Sequence, residues 1–137
     1  MNIAVFGSRE GVDRTIVEEY LAPRFRPEVT LVSGGARGVD SFAENFWRGQ
    51  GGQVLSIRPV QLADQDYGIE YWTNESVWMP QDWPTFLDYG SAAISRDMLI
   101  ADHADRGVAF WHNQSRGTGH TIAFLTGHGK PCAIHEG

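Results

Sequence analysis

Three short glycine-containing segments combine a flexible backbone with side chains that bind anions. They are Gly7-Ser8-Arg9, Gly34-Gly35-Ala36-Arg37-Gly38 and Ser115-Arg116-Gly117-Thr118-Gly119. Each has an arginine, a hydroxyl within or beside it, and glycine, which lets another group approach the backbone closely. Each also lies between an apolar run and a segment that can form a helix, and the N-terminus of a helix favours an anion. The pattern therefore predicts an anion-binding function for these segments.

Apolar runs and segments with helical spacing alternate along the chain. The apolar runs at 2–6, 29–33, 53–57, 107–111 and 131–135 predict five buried strands. Uniformly apolar strands that alternate with helices are typical of a parallel sheet that is covered on both faces. The expected fold class is α/β, as a single Rossmann-like doubly wound domain over residues 1–137 with about five parallel strands and helices on both faces.

The three glycine segments follow the first, second and fourth predicted strands. In open α/β sheets, ligands bind beyond the carboxyl ends of the strands, where neighbouring connections diverge. If these three strands are neighbours, the segments face one crevice. The candidate ligand- or phosphate-binding residues are then Gly7, Ser8, Arg9, Ser33, Gly34, Gly35, Ala36, Arg37, Gly38, Asp40, Ser115, Arg116, Gly117 and Thr118.

The spacing of these residues does not match three familiar kinds of site. The run "GGARG" departs from G-x-G-x-x-G, and the second strand ends in Ser33 instead of an acidic residue that would hold an NAD ribose. The run "GHGKP" at 127–131 lacks the first glycine and the hydroxyl of a P-loop. His120 and His128 would lie about 12 Å apart on one helix, too far to share an ion. We expect no dehydrogenase, no P-loop NTPase and no metal site.

Composition limits the partners and the compartment. The net charge of −6 disfavours a broad nucleic-acid surface, which is normally basic, but a few arginines in one cleft can still attract a small anion. No apolar run is long enough to span a membrane, and the first residues do not have the pattern of a signal peptide. With a single cysteine, Cys132, the chain fits a reducing compartment, so we expect a cytoplasmic protein.

Four motifs, taken in order, resemble a known family. They are "GSR" at 7–9, "SGGARGVD" at 33–40, the pair Arg96-Asp97, and "AFWHNQSRGT" at 109–118. Together they resemble the DUF2493 (YspA-like) branch of the SLOG superfamily, which includes the LOG phosphoribohydrolases and the Rossmann domain of the DNA-processing protein DprA. The resemblance covers nearly the whole chain, with 60–80 poorly matched. It implies a nucleotide or nucleotide derivative as ligand, with phosphate at Gly34–Gly38 and Gly117–Thr118, and a dimer or higher assembly.

The sequence departs from LOG hydrolases at residues that would carry out catalysis. Those enzymes resemble this chain in an arginine before the fourth strand, for which Arg96 is the candidate. They follow Gly-Thr with an acidic pair that helps to cleave the N-glycosidic bond, whereas here Gly119, His120 and Thr121 follow. An oxocarbenium-like transition state benefits from a nearby anion. The candidate catalytic residues are therefore Arg96, Asp97 and His120, with Asp40 as an alternative carboxylate.

The segment 58–89 is rich in aromatic residues and is longer than most irregular loops. One interpretation is an insertion or lid that stacks a base, with Trp83 and Tyr89 as the candidate contacts because they are nearest to the Arg96 helix. The other is that the rings pack on the sheet edge or form an oligomer interface. The part near 70–78 could also form a short helix.

The function expected from the sequence is binding of a phosphate-bearing nucleotide or nucleotide derivative, as a sensor or ligand-binding protein. No further cofactor is expected. The partners are then a small-molecule nucleotide and a second copy of the chain, without membrane or nucleic acid. Two alternatives stay open: a LOG-like phosphoribohydrolase or N-glycosidase, and a DprA-like nucleic-acid-binding module.

Overall fold

The computed structural model describes residues 1–80 and 84–136. The strands are β1 (Asn2–Gly7), β2 (Thr30–Ser33), β3 (Gln53–Gln61), β4 (Tyr67–Trp72), β5 (Val77–Trp78), β6 (Arg106–Trp111) and β7 (Cys132–Glu136). The helices are α1 (Arg14–Leu21), α2 (Val39–Gly49), α3 (Tyr89–His103) and α4 (Arg116–Gly127), and a 3-10 turn (Ala22–Arg24) follows α1. Within the described ranges, none of the helices has the length and apolar character needed to cross a membrane.

The seven strands form one sheet in the order β5-β4-β3-β2-β1-β6-β7. Five neighbouring strands of this sheet are parallel to one another: β3, β2, β1, β6 and β7. They are the five strands that the apolar runs predict. The order places β2, β1 and β6 side by side. The first, second and fourth predicted strands are therefore neighbours, and the expectation of a Rossmann-like α/β fold is confirmed.

The sheet continues into two antiparallel strands that the sequence did not predict. β3 runs on to Gln61, β4 pairs with it antiparallel, and the two-residue β5 pairs with β4. The expectation of a short helix near 70–78 is wrong. β4 has the sequence YGIEYW, which is rich in the aromatic and β-branched residues that favour strands, and it buries Gly68, Ile69 and Tyr71. Within the segment 58–89, residues 58–61, 67–72 and 77–78 are thus part of the sheet.

Helices cover both faces of the sheet because side chains alternate along its strands. On one face, Ala4 and Phe6 of β1 pack with residues of α3 and α4. On the other face, Ile3 and Val5 pack with residues of α1 and α2. The site lies between these layers, at the carboxyl end of β1.

Candidate functional site

A pocket of about 680 Å³ opens at the carboxyl ends of β1 and β6. The loop after β1 and the turn before α4 form part of its wall, and the N-terminal part of α2, the middle of α3 and the first turns of α4 complete it. Its lining residues are Phe6, Gly7, Ser8, Arg9, Glu10, Gly11, Ala36, Arg37, Asp40, Arg96, Asp97, Ile100, His112, Asn113, Ser115, Gly117, Thr118 and Thr121. The three glycine segments thus contribute to one pocket.

The structure places most of the sequence-derived candidates in the pocket wall, but not all of them. Those that line it are Gly7, Ser8, Arg9, Ala36, Arg37, Asp40, Arg96, Asp97, Ser115, Gly117 and Thr118. Those outside the lining are Ser33, Gly34, Gly35, Gly38, Tyr89, Arg116 and His120. The remaining candidate, Trp83, lies outside the described residues.

Asp40 joins the ends of β1 and β2. It is buried, and its carboxylate accepts hydrogen bonds from the backbone N–H groups of Gly7 (3.2 Å), Gly34 (3.1 Å) and Ala36 (3.4 Å). The amides of Gly34 and Ala36 belong to the loop for which the family resemblance implies a phosphate. Both are instead bonded to a carboxylate of the protein itself. Burial raises the pKa of Asp40 to about 7; the charge of Glu44 adds to the rise, and the charge of Arg96 opposes it.

Arg96 and Asp97 form a buried ion pair on α3. The Arg96 guanidinium donates to Asp97 Oδ1 through Nε (2.8 Å) and to the Gly34 carbonyl through Nη1 (2.6 Å). Arg96 thus ties α3 to the loop after β2. Burial raises the pKa of Asp97, and the Arg96 guanidinium, the Thr121 hydroxyl and His120 act in the opposite direction. A carboxyl group therefore reaches the pocket from α3, although none follows Thr118 directly.

Hydroxyl groups join the loop after β1 to the turn after β6. Ser8 Oγ accepts a hydrogen bond from the His112 N–H (2.8 Å) and lies 2.8 Å from Ser115 Oγ. Ser115 Oγ also donates to Thr118 Oγ1 (3.1 Å) at the start of α4. Ser8 is buried, and its backbone N–H donates to the Phe110 carbonyl. These bonds fix the position of the α4 N-terminus relative to β1.

The glycines in these loops differ in what surrounds them. A Cβ on Gly34 would lie 2.6 Å from Arg96 Nη1, and one on Gly38, where φ is +80°, would lie 2.7 Å from the Ser8 carbonyl oxygen. Their glycines are explained by packing within the protein. Gly117 differs, because a Cβ there would meet nothing within 4 Å and its φ is not positive. Its bare backbone faces open space in the pocket wall.

The exposed arginines at the pocket have protein partners. Arg37 pairs with Glu10 (2.9 Å), and both side chains are exposed. Arg9 donates to the hydroxyl of Tyr89 (3.1 Å), whose ring packs edge-on against Tyr67. Surface pairs of this kind are weak, so an anion can compete for either arginine. Tyr89 therefore lies near the pocket, held by Arg9, without lining it.

Seven of the lining residues were not predicted from the sequence. They are Phe6, Glu10, Gly11, Ile100, His112, Asn113 and Thr121. Three of them, Phe6, Glu10 and Thr121, are next in the chain to a predicted site residue. For these three, that proximity was the signal from which they could have been predicted. Among residues 1–80 and 84–136, no group of three or more His, Cys, Asp or Glu side chains is placed to hold a metal ion.

Comparison with known proteins gives matches at the level of fold. No protein-family model matches the chain, and no curated protein sequence matches it. Solved structures that resemble it include TM1055, a structural genomics target, at 19% identity and a TM-score of 0.60, covering 96% of this chain and 71% of that one. DNA processing protein A from Helicobacter pylori matches at 16% identity with a TM-score of 0.64. The same protein from Streptococcus pneumoniae matches at 16% identity with a TM-score of 0.70.

This chain corresponds to only part of the two DNA processing proteins. They match 98% and 97% of this chain, which spans 64% and 49% of their own lengths. At these identities the likeness establishes the shared fold alone. Membership of the DUF2493 branch stays a prediction.

Proposed function

We propose that this protein binds a phosphate-bearing nucleotide or nucleotide derivative in the pocket at the carboxyl ends of β1 and β6. The observation that carries the proposal is the convergence of all three glycine segments on one pocket. Its volume of about 680 Å³ is in the range of small-molecule sites. Its position beyond the strand ends is where α/β sheets bind such ligands.

The anionic part of the ligand is best accommodated at the N-terminus of α4. The first-turn amides of a helix lack partners within the helix, and the helix dipole favours negative charge there. Gly117 and Thr118 line the pocket at this end. By contrast, the amides of Gly34 and Ala36 already donate to Asp40. The phosphate position is therefore assigned to Gly117–Thr118, with Arg9 and Arg37 at the rim.

Thermal melting with AMP, GMP, CMP, ADP-ribose and NAD tests this proposal. A ligand present at about 100 times its Kd stabilises a protein by about 2.7 kcal/mol, which raises Tm by several degrees. Arg37→Ala should reduce the shift. Arg106→Ala removes the same charge from an exposed position at the amino end of β6 and should leave the shift intact. Absence of a shift with every compound would refute the proposal.

Cleavage of the N-glycosidic bond is a second candidate function, favoured by the position of Asp97. This carboxyl group lines the pocket beside Arg96 and could take the place of the acidic pair that is absent after Thr118. Its ionised form would stabilise an oxocarbenium-like transition state. Chromatography of the nucleotide after incubation distinguishes the two functions. Free base that disappears in Asp97→Asn indicates hydrolysis, and intact nucleotide indicates binding alone.

Nucleic-acid binding is an alternative because two of the similar structures are DNA processing proteins, one described by its single-stranded DNA binding mode. The net charge of −6 opposes it, because nucleic-acid affinity depends on basic residues that neutralise phosphates. Titration with a single-stranded oligonucleotide at several salt concentrations decides the question. Tight binding that weakens steeply with salt would favour this alternative over the small-molecule ligand.

A homo-oligomer stays part of the proposal. Leu87 is 88% exposed, and α3 exposes Ile94 (42%) and Met98 (45%) at positions four residues apart. Large apolar side chains grouped at a surface are typical of interaction sites. Sedimentation velocity should reveal a species of at least twice the chain mass of 15.2 kDa. A monomer at every concentration would contradict this part of the proposal.

A further inference from the structure

The turn between β6 and α4 has an unusual backbone. The Ser115 N–H donates to the His112 carbonyl (3.3 Å), and the two central residues, Asn113 and Gln114, both have φ of 52°. Positive φ at both central positions defines a type I′ turn, for which glycine is preferred, above all at the second position. Asparagine tolerates this region better than most residues, but glutamine is an uncommon occupant. The turn thus retains two carboxamide side chains at positions that suit glycine.

Hydrogen bonds hold both ends of this turn. Ser8 Oγ accepts from the His112 N–H (2.8 Å), and Trp111 Nε1 donates to the Ser115 carbonyl (2.7 Å). The central residues are exposed, and Asn113 lines the pocket. Neither carboxamide makes a hydrogen bond to another residue within 1–80 and 84–136. The turn therefore presents two available carboxamides from a fixed backbone.

The chemistry of these groups suits a nucleobase better than a phosphate. A carboxamide carries a donor beside an acceptor and no charge, and Asn and Gln pair with base edges through both groups. Asn113 lines the pocket next in the chain to His112, against whose imidazole Gly11 packs. The anion is assigned to the first turn of α4.

We propose that Asn113, the carboxamide of this turn that lines the pocket, recognises the base of the bound nucleotide and determines which base is accepted. This inference rests on the proposed nucleotide-binding function. A good bidentate contact between a carboxamide and a base discriminates by about tenfold or more. The wild-type protein should therefore bind at least one of AMP, GMP, CMP and UMP about tenfold more tightly than ribose 5-phosphate, which has no base.

Isothermal titration of Asn113→Gly and Gln114→Gly with these five compounds tests the inference. Asn113→Gly should lose most of the base preference and retain the affinity for ribose 5-phosphate, whereas Gln114→Gly, outside the pocket lining, should keep the preference. Gln114→Gly should also raise the Tm by about 3 °C, because glycine relieves the strained φ. The matched control is Gln65→Gly. Gln65 also has positive φ (75°), in the turn between β3 and β4, away from the pocket, so this variant should raise the Tm and keep the base preference.

Two results separate the inference from the function on which it rests. If ribose 5-phosphate binds as tightly as every nucleotide, or if Asn113→Gly keeps the wild-type preference, the inference is wrong and the nucleotide site remains. If the wild-type protein binds none of the five compounds, the inference is wrong, and the proposed function falls with it only if ADP-ribose and NAD do not bind either.

Discussion

Replacement of Asp40 by asparagine removes the carboxylate that joins the loops after β1 and β2. Oδ1 accepts from the Gly7 N–H, and Oδ2 accepts from the Gly34 and Ala36 N–H groups. Asparagine has the same shape but only one acceptor oxygen. In either orientation of the amide, at least one backbone N–H group then faces an NH₂ group. An unsatisfied buried donor costs about 1–3 kcal/mol, so we expect Asp40→Asn to destabilise the fold.

The same substitution also changes how stability depends on pH. The pKa of Asp40 is about 7 in the folded protein, against 3.8 for an ordinary aspartate. Between these values the folded protein holds a proton that the unfolded chain has released. The stability contributed by this proton is complete below the unfolded pKa and is lost as pH rises through the folded pKa. From about pH 7.5 down to about pH 5 it grows by about 2 to 3 kcal/mol.

Urea unfolding followed by tryptophan fluorescence measures this effect. Asparagine does not titrate, so the free energy of unfolding of wild type minus that of Asp40→Asn should increase by about 2 to 3 kcal/mol as the pH falls from about 7.5 to about 5. The contributions of groups that the substitution leaves unchanged cancel in the difference. A difference that is constant with pH would mean that Asp40 has an ordinary pKa. The account of a buried carboxylate between the loops would then be refuted.

Three further predictions concern the same loops. Gly34→Ala places a Cβ 2.6 Å from Arg96 Nη1, so it should lower the free energy of unfolding in urea by about 2 kcal/mol; wild-type stability would refute the packing role of Gly34. Ser8→Ala leaves the His112 N–H without its acceptor and should cost about 2 kcal/mol in the same assay, and a neutral effect would contradict that bond. Affinity for ADP-ribose, measured by calorimetry, should increase as pH falls through about 7, because protonation of Asp40 removes a negative charge from the pocket; affinity that is independent of pH would count against this.

The parallel part of the fold could be predicted because each of its strands is a short apolar run that a polar or glycine-rich segment follows. The hydrophobic pattern alone did not determine the order of the strands. That order depends on how α1 and α2 pack on one face of the sheet and α3 and α4 on the other. The prediction of one shared crevice therefore depended on the assumption that β2, β1 and β6 are neighbours. In the structure they are neighbours.

The antiparallel strands were missed because β4 does not resemble a uniformly apolar strand. Tyr67, Glu70 and Trp72 are half-buried, while Ile69 and Tyr71 are buried, as expected at the margin of a sheet. Position in the sheet, rather than a local pattern, determines this mixture. The position of β4 in the sheet is not visible in the sequence. The length and aromatic content of 58–89 therefore favoured the interpretation of an insertion over that of a sheet extended beyond β3.

The role of the glycines in "SGGARG" could not be predicted from local sequence. Gly34 is required because Arg96, 62 residues away in the chain, donates to its carbonyl at close range. From the sequence, the same glycine was expected to let a ligand approach the backbone closely. Only the contacts between distant segments separate the glycines that serve packing from Gly117, which has open space beside it.

The most direct test of the central claim is calorimetric binding of the most stabilising nucleotide of the panel to Gly117→Ala and Gly127→Ala. Both glycines lie in α4 with open space around them, so either substitution should keep the fold and slightly favour the helix. Only Gly117 lines the pocket. We predict that Gly117→Ala loses most of the wild-type affinity and that Gly127→Ala keeps it. Wild-type affinity in both variants would contradict a phosphate site at the N-terminus of α4.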